Sequence, residues 1–183
     1  MDKGLIPRRY AKALYEFATE KGQQDAIYSS MQQLEKSFVA FPDLAKTLAN
    51  PFIADSDKTK LLEEAAGNPD NDKSAKIYSD FIALLAQNKR MDCMRSIAKA
   101  YIDIYREDKH IFRVEVTSAS QLTDEAKDRL DKVIRQNVGS GTLDYNYAVD
   151  PSLIGGFTVT VDSRRLDASI AGQLKKLRLD LVK

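Results

Sequence analysis

The pattern of the apolar residues changes along this chain near the charged run "REDKH" at 106–110. Upstream of it, apolar side chains recur three or four residues apart; downstream, runs that alternate with polar residues appear between segments of helical spacing. These are the periods of an amphipathic helix and of a half-buried strand. A chain with a wholly helical block followed by a mixed one is neither an all-helical nor an all-β fold. The prediction is a helical bundle over 1–105 followed by a small α+β unit over 111–183, with the boundary between residues 105 and 111.

The first block reads as six short helices on short connections. Pro7 suits the first turn of a helix, where its missing N–H costs nothing. Tyr10, Ala13, Leu14 and Phe17 follow at helical spacing, and Gly22 stops the helix. Ile27, Met31, Leu34, Phe38 and Phe41 form a narrow seam ended by Pro42. A short helix through Leu44 and Leu48 stops at Asn50 and Pro51. Asp55 or Ser56 is placed to cap a helix carrying Leu61, Leu62 and Ala65, which Gly67 terminates. After a loop at 68–72, Ile77, Phe81, Leu84 and Leu85 mark the fifth helix, and Met94, Ile97, Tyr101 and Ile104 the sixth.

In the second block Phe112, Val114 and Val116 alternate with Arg113, Glu115 and Thr117. Thr123 is placed to cap a helix with Ala126, Leu130, Val133 and Ile134 inward. Leu143, Tyr145, Tyr147 and Val149 alternate again, as do Phe157, Val159 and Val161. Ile170, Leu174, Leu177 and Leu181 are spaced as the seam of a final helix, with Ser169 as its cap. The expectation is a short sheet with two helices.

Charge and composition exclude several functions. A formal net charge of +1 gives no general pull toward nucleic acid or anionic lipid. No apolar run approaches the ~20 residues of a transmembrane helix, and "MDKGLIPRRYAKALYEF" lacks the apolar core of a secretory signal. The single cysteine, Cys93, precludes a disulfide within the chain and reads as a buried small hydrophobe. With one histidine, His110, it cannot build a His/Cys zinc site. His110 reads as an exposed linker residue, since no nucleophile is placed beside it. Asp124, Glu125, Asp128 and Asp131 are interleaved with Lys127, Arg129 and Lys132, as on a solvated helix face. Tyr145 and Tyr147 share a strand face and read as core or interface. Arg8, Arg9 and Lys12 at the start of the first helix are either solvated or flank a docking groove.

Gly155 and Gly156 pose the remaining choice. A phosphate loop needs its glycines between a strand and a helix N-terminus. Here a strand pattern follows them, with Pro151 before, so they read as a structural corner. At the level of residues the chain is then a binding or connector protein with apolar helical seams and no catalytic constellation. An unrelated adaptor for an amphipathic helix, or a phosphate-binding enzyme using Gly155 and Gly156, are the other readings.

Three stretches resemble one family. "PRRYAKALYEFA" (7–18) is similar to the opening helix of the delta subunit of F-type ATP synthases, the homologue of the mitochondrial oligomycin sensitivity-conferring protein. "AQNKRMDCM" (86–94) resembles its boundary between fifth and sixth helices, and "DPSLIGGFTVTVDSRRLDASIAGQLKKLR" (150–178) its C-terminal signature. The resemblance implies a non-catalytic tether of the peripheral stalk, without cofactor or metal, which holds the catalytic head against rotor torque. It implies one copy per complex, a monomer when isolated, without nucleic acid or direct membrane insertion, at the cytoplasmic face of a bacterial inner membrane. The helical unit would bind the N-terminal helix of an alpha subunit through Tyr10, Ala13 and Phe17 with Asp80 and Leu84; packing of these residues on each other is the alternative. The second unit would hold the end of the b subunits, with Ile170 and Leu174 covering the sheet and Leu177 and Leu181 on the stalk. The sequence departs from the family at Ala168, where glycine is usual, and at Ala171 and Gln173, where basic residues are common.

Overall fold

The computed structural model describes residues 4–67, 72–138, 141–162 and 164–170. The fold is mixed α/β, and the chain divides into two compact units, Met1–Tyr105 and Arg106–Lys183.

The helical part holds α1 (Leu5–Glu20), α2 (Gln24–Ala40), α3 (Asp43–Ala49), α4 (Asp55–Ala66), α5 (Asp72–Gln87) and α6 (Met94–Asp108), with a 3₁₀ turn at Met91–Cys93 leading into α6. Gly22 ends α1 in the left-handed region, at φ 65°. That conformation lets the Gln23 N–H reach the Ala18 carbonyl at 2.8 Å and the Gly22 N–H reach that of Thr19 at 3.0 Å. α4 begins differently from the expectation. Ala54, extended, is its N-cap and makes no side-chain bond. Asp55 lies inside the first turn and, with Asp57, complements the positive end of the helix.

α2 supplies the centre of this core. Ile27, Met31, Leu34 and Phe38 are buried as their spacing requires, and the helix packs on α1, α3, α4 and α5. Phe41 is a correction: α2 ends at Ala40, which leaves Phe41 67% exposed. α6 closes on α1 and α2 through tyrosines. The Tyr15 ring meets those of Tyr101 and Tyr105 edge-on at 5.7 and 6.3 Å, and Tyr28 stacks on Tyr105 at 3.9 Å. The buried hydroxyls keep polar partners: Tyr101 donates to the Gln24 carbonyl (3.2 Å) and Tyr105 to Asp25 (2.8 Å).

The second unit contains β1 (Ile111–Ser118), α7 (Asp124–Val138), β2 (Thr142–Val149), β3 (Gly156–Val161) and β4 (Arg164–Ser169). The sheet order is β2-β1-β3-β4. β1 and β2 are parallel, with Val114 opposite Tyr145; β3 is antiparallel to β1 and to β4. A parallel pair needs a crossover, and α7 supplies it. Thr123 caps α7 as expected, its Oγ1 accepting from the Ala126 N–H at 3.3 Å. Val114, Val116 and Val159 form one buried cluster with Leu130 and Ile134 of α7. Val133, expected inward, is exposed.

β4 is a strand that the apolar pattern does not show. "RRLDAS" has no run of alternating apolar residues, yet its backbone pairs with β3 from Gly156–Ser169 to Val161–Arg164. Ala168 lies in this strand opposite Phe157. Its backbone is not among the positive-φ residues, so alanine in place of the usual glycine carries no strain there. Leu174, Leu177 and Leu181, with Ala171 and Gln173, lie outside the described residues.

Candidate functional site

α1 is apolar on two sides. Its buried side is Pro7, Ala11, Leu14, Tyr15 and Ala18. The strip expected to be its apolar face lies elsewhere: Tyr10 is half-buried, Ala13 is exposed and Phe17 is 45% exposed, while Leu14 alone is shared with the core. The cause is Tyr15. Its ring sits among the α6 tyrosines and turns α1 so that Ala11 and Ala18, not Ala13 and Phe17, face inward. Lys21 covers part of the outward strip, with its ammonium 5.5 Å from the Phe17 ring centre. Arg8, Arg9 and Lys12 are exposed around it. Lys12 makes a loose 3.8 Å pair with Glu16.

α5 repeats the arrangement. Ile77, Tyr78, Phe81, Ile82 and Leu85 are buried, while Asp80 is exposed and Leu84 is 45% exposed. The main contacts of α1 run to α2 and, through Tyr15, to α6; the main contacts of α5 run to α4, α2 and the 3₁₀ turn. Both helices thus carry an apolar residue outward that the core does not use. An outward strip with a small residue, Ala13, between larger ones allows close approach of another helix.

The other candidates are held by ordinary surface chemistry. Asp131 accepts from Arg135 (2.7 Å) and Tyr145 (2.7 Å), and these bonds hold its carboxyl below the usual range. Asp124 pairs with Lys127 at 2.9 Å. Among the described residues no group of three or more His, Cys, Asp or Glu side chains is placed to hold a metal. Tyr145 and Tyr147 stack at 5.6 Å, Tyr145 half-buried and Tyr147 exposed. Cys93 is half-buried rather than buried, and desolvation, with Asp92 beside it, raises its thiol pKa, the reverse of an activated thiolate. His110 is exposed with φ 50°.

Gly155 and Gly156 lead into β3. Gly156 has φ 81°, and a Cβ there would overlap the Ala168 carbonyl oxygen; one on Gly155 would stand 2.6 Å from Ile170 Cδ1. Ala119 N–H donates to the Gly156 carbonyl and Ile170 N–H to that of Gly155. The pair therefore lies where β4 and the residue after it press against the start of β3.

Sequence reasoning passes over Lys58. It is buried on the same side of α4 as Leu62 and Ala66. The spacing 58, 62, 66 was the available sign, and the charge hid it.

A helical unit that carries apolar residues outward, followed by a small α/β unit, suits a binding or connector protein. The comparisons with known proteins agree. The family model of the ATP synthase delta (OSCP) subunit matches residues 6–181. The "ATP synthase subunit delta" of Parabacteroides distasonis is 38% identical over 182 residues, covering 100% of this chain and 98% of that protein. That of Prochlorococcus marinus strain AS9601 is 37% identical, covering 95% and 94%. A chain of the Toxoplasma gondii mitochondrial ATP synthase hexamer, solved by cryo-EM, shares the fold with a TM-score of 0.73 at 18% identity, covering 97% of this chain and 98% of its own. The chain belongs to the ATP synthase delta (OSCP) subunit family. It is a non-catalytic subunit of the peripheral stalk, not an enzyme. Among the described residues no helix is long and apolar enough to cross a membrane.

Proposed function

We propose that the chain ties the catalytic head to the stalk through two separate surfaces. The helical unit, a six-helix bundle over 1–105, takes the N-terminal helix of an alpha subunit along Tyr10, Ala13 and Phe17 of α1 and Asp80 and Leu84 of α5. The observation that carries this is the two-sided α1: Phe17 stays 45% exposed while the core is filled by other residues. Apolar helix area left in water is stabilised by the apolar face of a second helix, at about 25 cal/mol per Å² covered. Asp80 would be a polar contact at the rim.

The unit over 111–183 holds the C-terminal end of the b subunits, with Leu177 and Leu181 on the stalk and Gly155 and Gly156 as the structural corner. The complex holds one copy, at the cytoplasmic face of a bacterial inner membrane. Held at both ends, the chain opposes rotor torque, so that rotation drives ATP synthesis rather than spinning the head.

The test is Ala13→Trp with a peptide of the alpha N-terminus. Bulk on an exposed site leaves the melting temperature unchanged and blocks helix approach, so the affinity falls. Unchanged affinity would remove Ala13 from the interface. A chain ending at Lys176 tests the other end: it should keep the peptide and lose the b subunits.

A further inference from the structure

The two edges of the sheet differ. β4, at one edge, is six residues long and three of them are charged, the composition of an edge guarded against further pairing. β2, at the other, runs for eight residues without proline or lysine, and its register with β1 is unbroken from Thr142 to Val149. Its one charged residue, Asp144, is already paired with Arg106 at 2.7 Å. The ladder fixes which backbone groups of β2 are used. The Thr142 N–H donates to the His110 carbonyl and, past the strand end, the Asp150 N–H to that of Ser118. In a parallel ladder every second residue turns both its N–H and its C=O to the same neighbour. Thr142, Asp144, Asn146 and Ala148 therefore bond to β1, while Leu143, Tyr145, Tyr147 and Val149 turn their backbone groups away from it. Among the described residues no strand lies beyond β2 to take those groups. The side chains of the same four residues lie on the face that α7 covers. Tyr145 is held there by Asp131 and by its stack with Tyr147, yet Tyr147 is 43% and Val149 54% exposed.

We propose that β2 takes an extended segment of another subunit of the complex as an added strand. The backbone chooses this occupant. A row of alternating donors and acceptors is matched by another extended backbone, whereas a helix has used its own N–H and C=O groups within itself. The side chains add a second requirement. Residues opposite Tyr147 and Val149 share their face, so apolar side chains there cover what now stands in water. The strand is also pre-organised: β1 sets its register and α7 holds Tyr145 before a partner arrives, which lowers the ordering cost of binding. The partner is a different subunit because the chain belongs to a family of ATP synthase subunits; a second copy of this chain is the alternative that the experiment separates. The proposal rests on that membership, but not on the α1 and α5 strips or on Leu177 and Leu181.

Backbone amide exchange, resolved to single residues, compares the isolated full chain with the intact ATP synthase. On assembly Tyr145, Tyr147 and Val149 should exchange about tenfold more slowly, as for an edge nine-tenths occupied. Asp144, Asn146 and Ala148, already bonded to β1, should change little. Unchanged exchange at the outward residues overturns the proposal. Equal slowing at outward and inward residues also overturns it, because that reports general stabilisation and not pairing. Slow outward amides in the isolated chain, together with a dimer in sedimentation, assign the edge to a second copy and overturn it as well. Affinity for the alpha peptide reads the α1 strip on its own, so either reading can fail alone. As a second measure, Val149→Pro removes one outward donor and none of the bonds to β1, whereas Val149→Thr changes the side chain and keeps the donor. The proline variant should attach to the rest of the complex more weakly than the threonine variant; equal loss in both, or loss in neither, overturns the added strand.

Discussion

The Tyr78 hydroxyl on α5 donates to the Leu62 carbonyl of α4 at 2.9 Å, with both side chains buried. Burial, with a smaller effect of Glu63, raises the phenol pKa well above its ordinary value, so it stays a donor at all physiological pH. Tyr78→Phe keeps the ring and removes the bond. It should cost about 0.5–1.5 kcal/mol, read as a lower urea midpoint with unchanged slope.

The tyrosine cluster sets an alkaline limit. Burial first, then the hydrogen bond and charge of Asp25, push Tyr105 from 10.0 up to about 12, and burial raises Tyr101 as well. The folded state holds these protons above the pH at which the unfolded chain releases them. The Tyr105 contribution is therefore whole below pH 10.0 and lost as pH rises toward about 12. Urea midpoints should fall steeply across that window, and Tyr105→Phe should flatten the fall.

The two glycines before β3 should respond differently to alanine. Gly156→Ala meets both φ 81° and the Ala168 carbonyl, neither of which yields. It should cost more than about 1 kcal/mol. Gly155→Ala meets only the end of the Ile170 side chain, which can change rotamer. It should cost less, and thermal melts of the full chain compare the two directly.

The two sides of α1 separate stability from attachment. Leu14→Ala, on the buried side, should cost about 2–5 kcal/mol. Phe17→Gln, on the outward side, should cost about 1 kcal/mol or less, including its contact with Lys21, yet weaken binding of the alpha peptide. Calorimetric unfolding and peptide titration on the same two variants distinguish the roles.

Sequence alone determined where the structure changes type, because the switch from period 3.6 to period 2 is a local property of the apolar residues. It also determined the seam of α2 from Ile27 to Phe38, the stop at Gly22 and the Thr123 cap of α7, each set by a few neighbours in the chain. Tertiary structure alone decided which side of α1 is core. Tyr10, Ala13, Leu14 and Phe17 satisfy the helical period as well as Pro7, Ala11, Leu14, Tyr15 and Ala18 do. The choice is made by tyrosines of α6 more than 80 residues away, with Tyr105 bonded to Asp25 at a separation of 80. β4 was equally out of reach, since an edge strand of charged residues is defined by the backbone of β3 and not by its own side chains. Lys58 joins them: a lysine's sequence neighbourhood says it is solvated, and only tertiary packing buries most of its side chain.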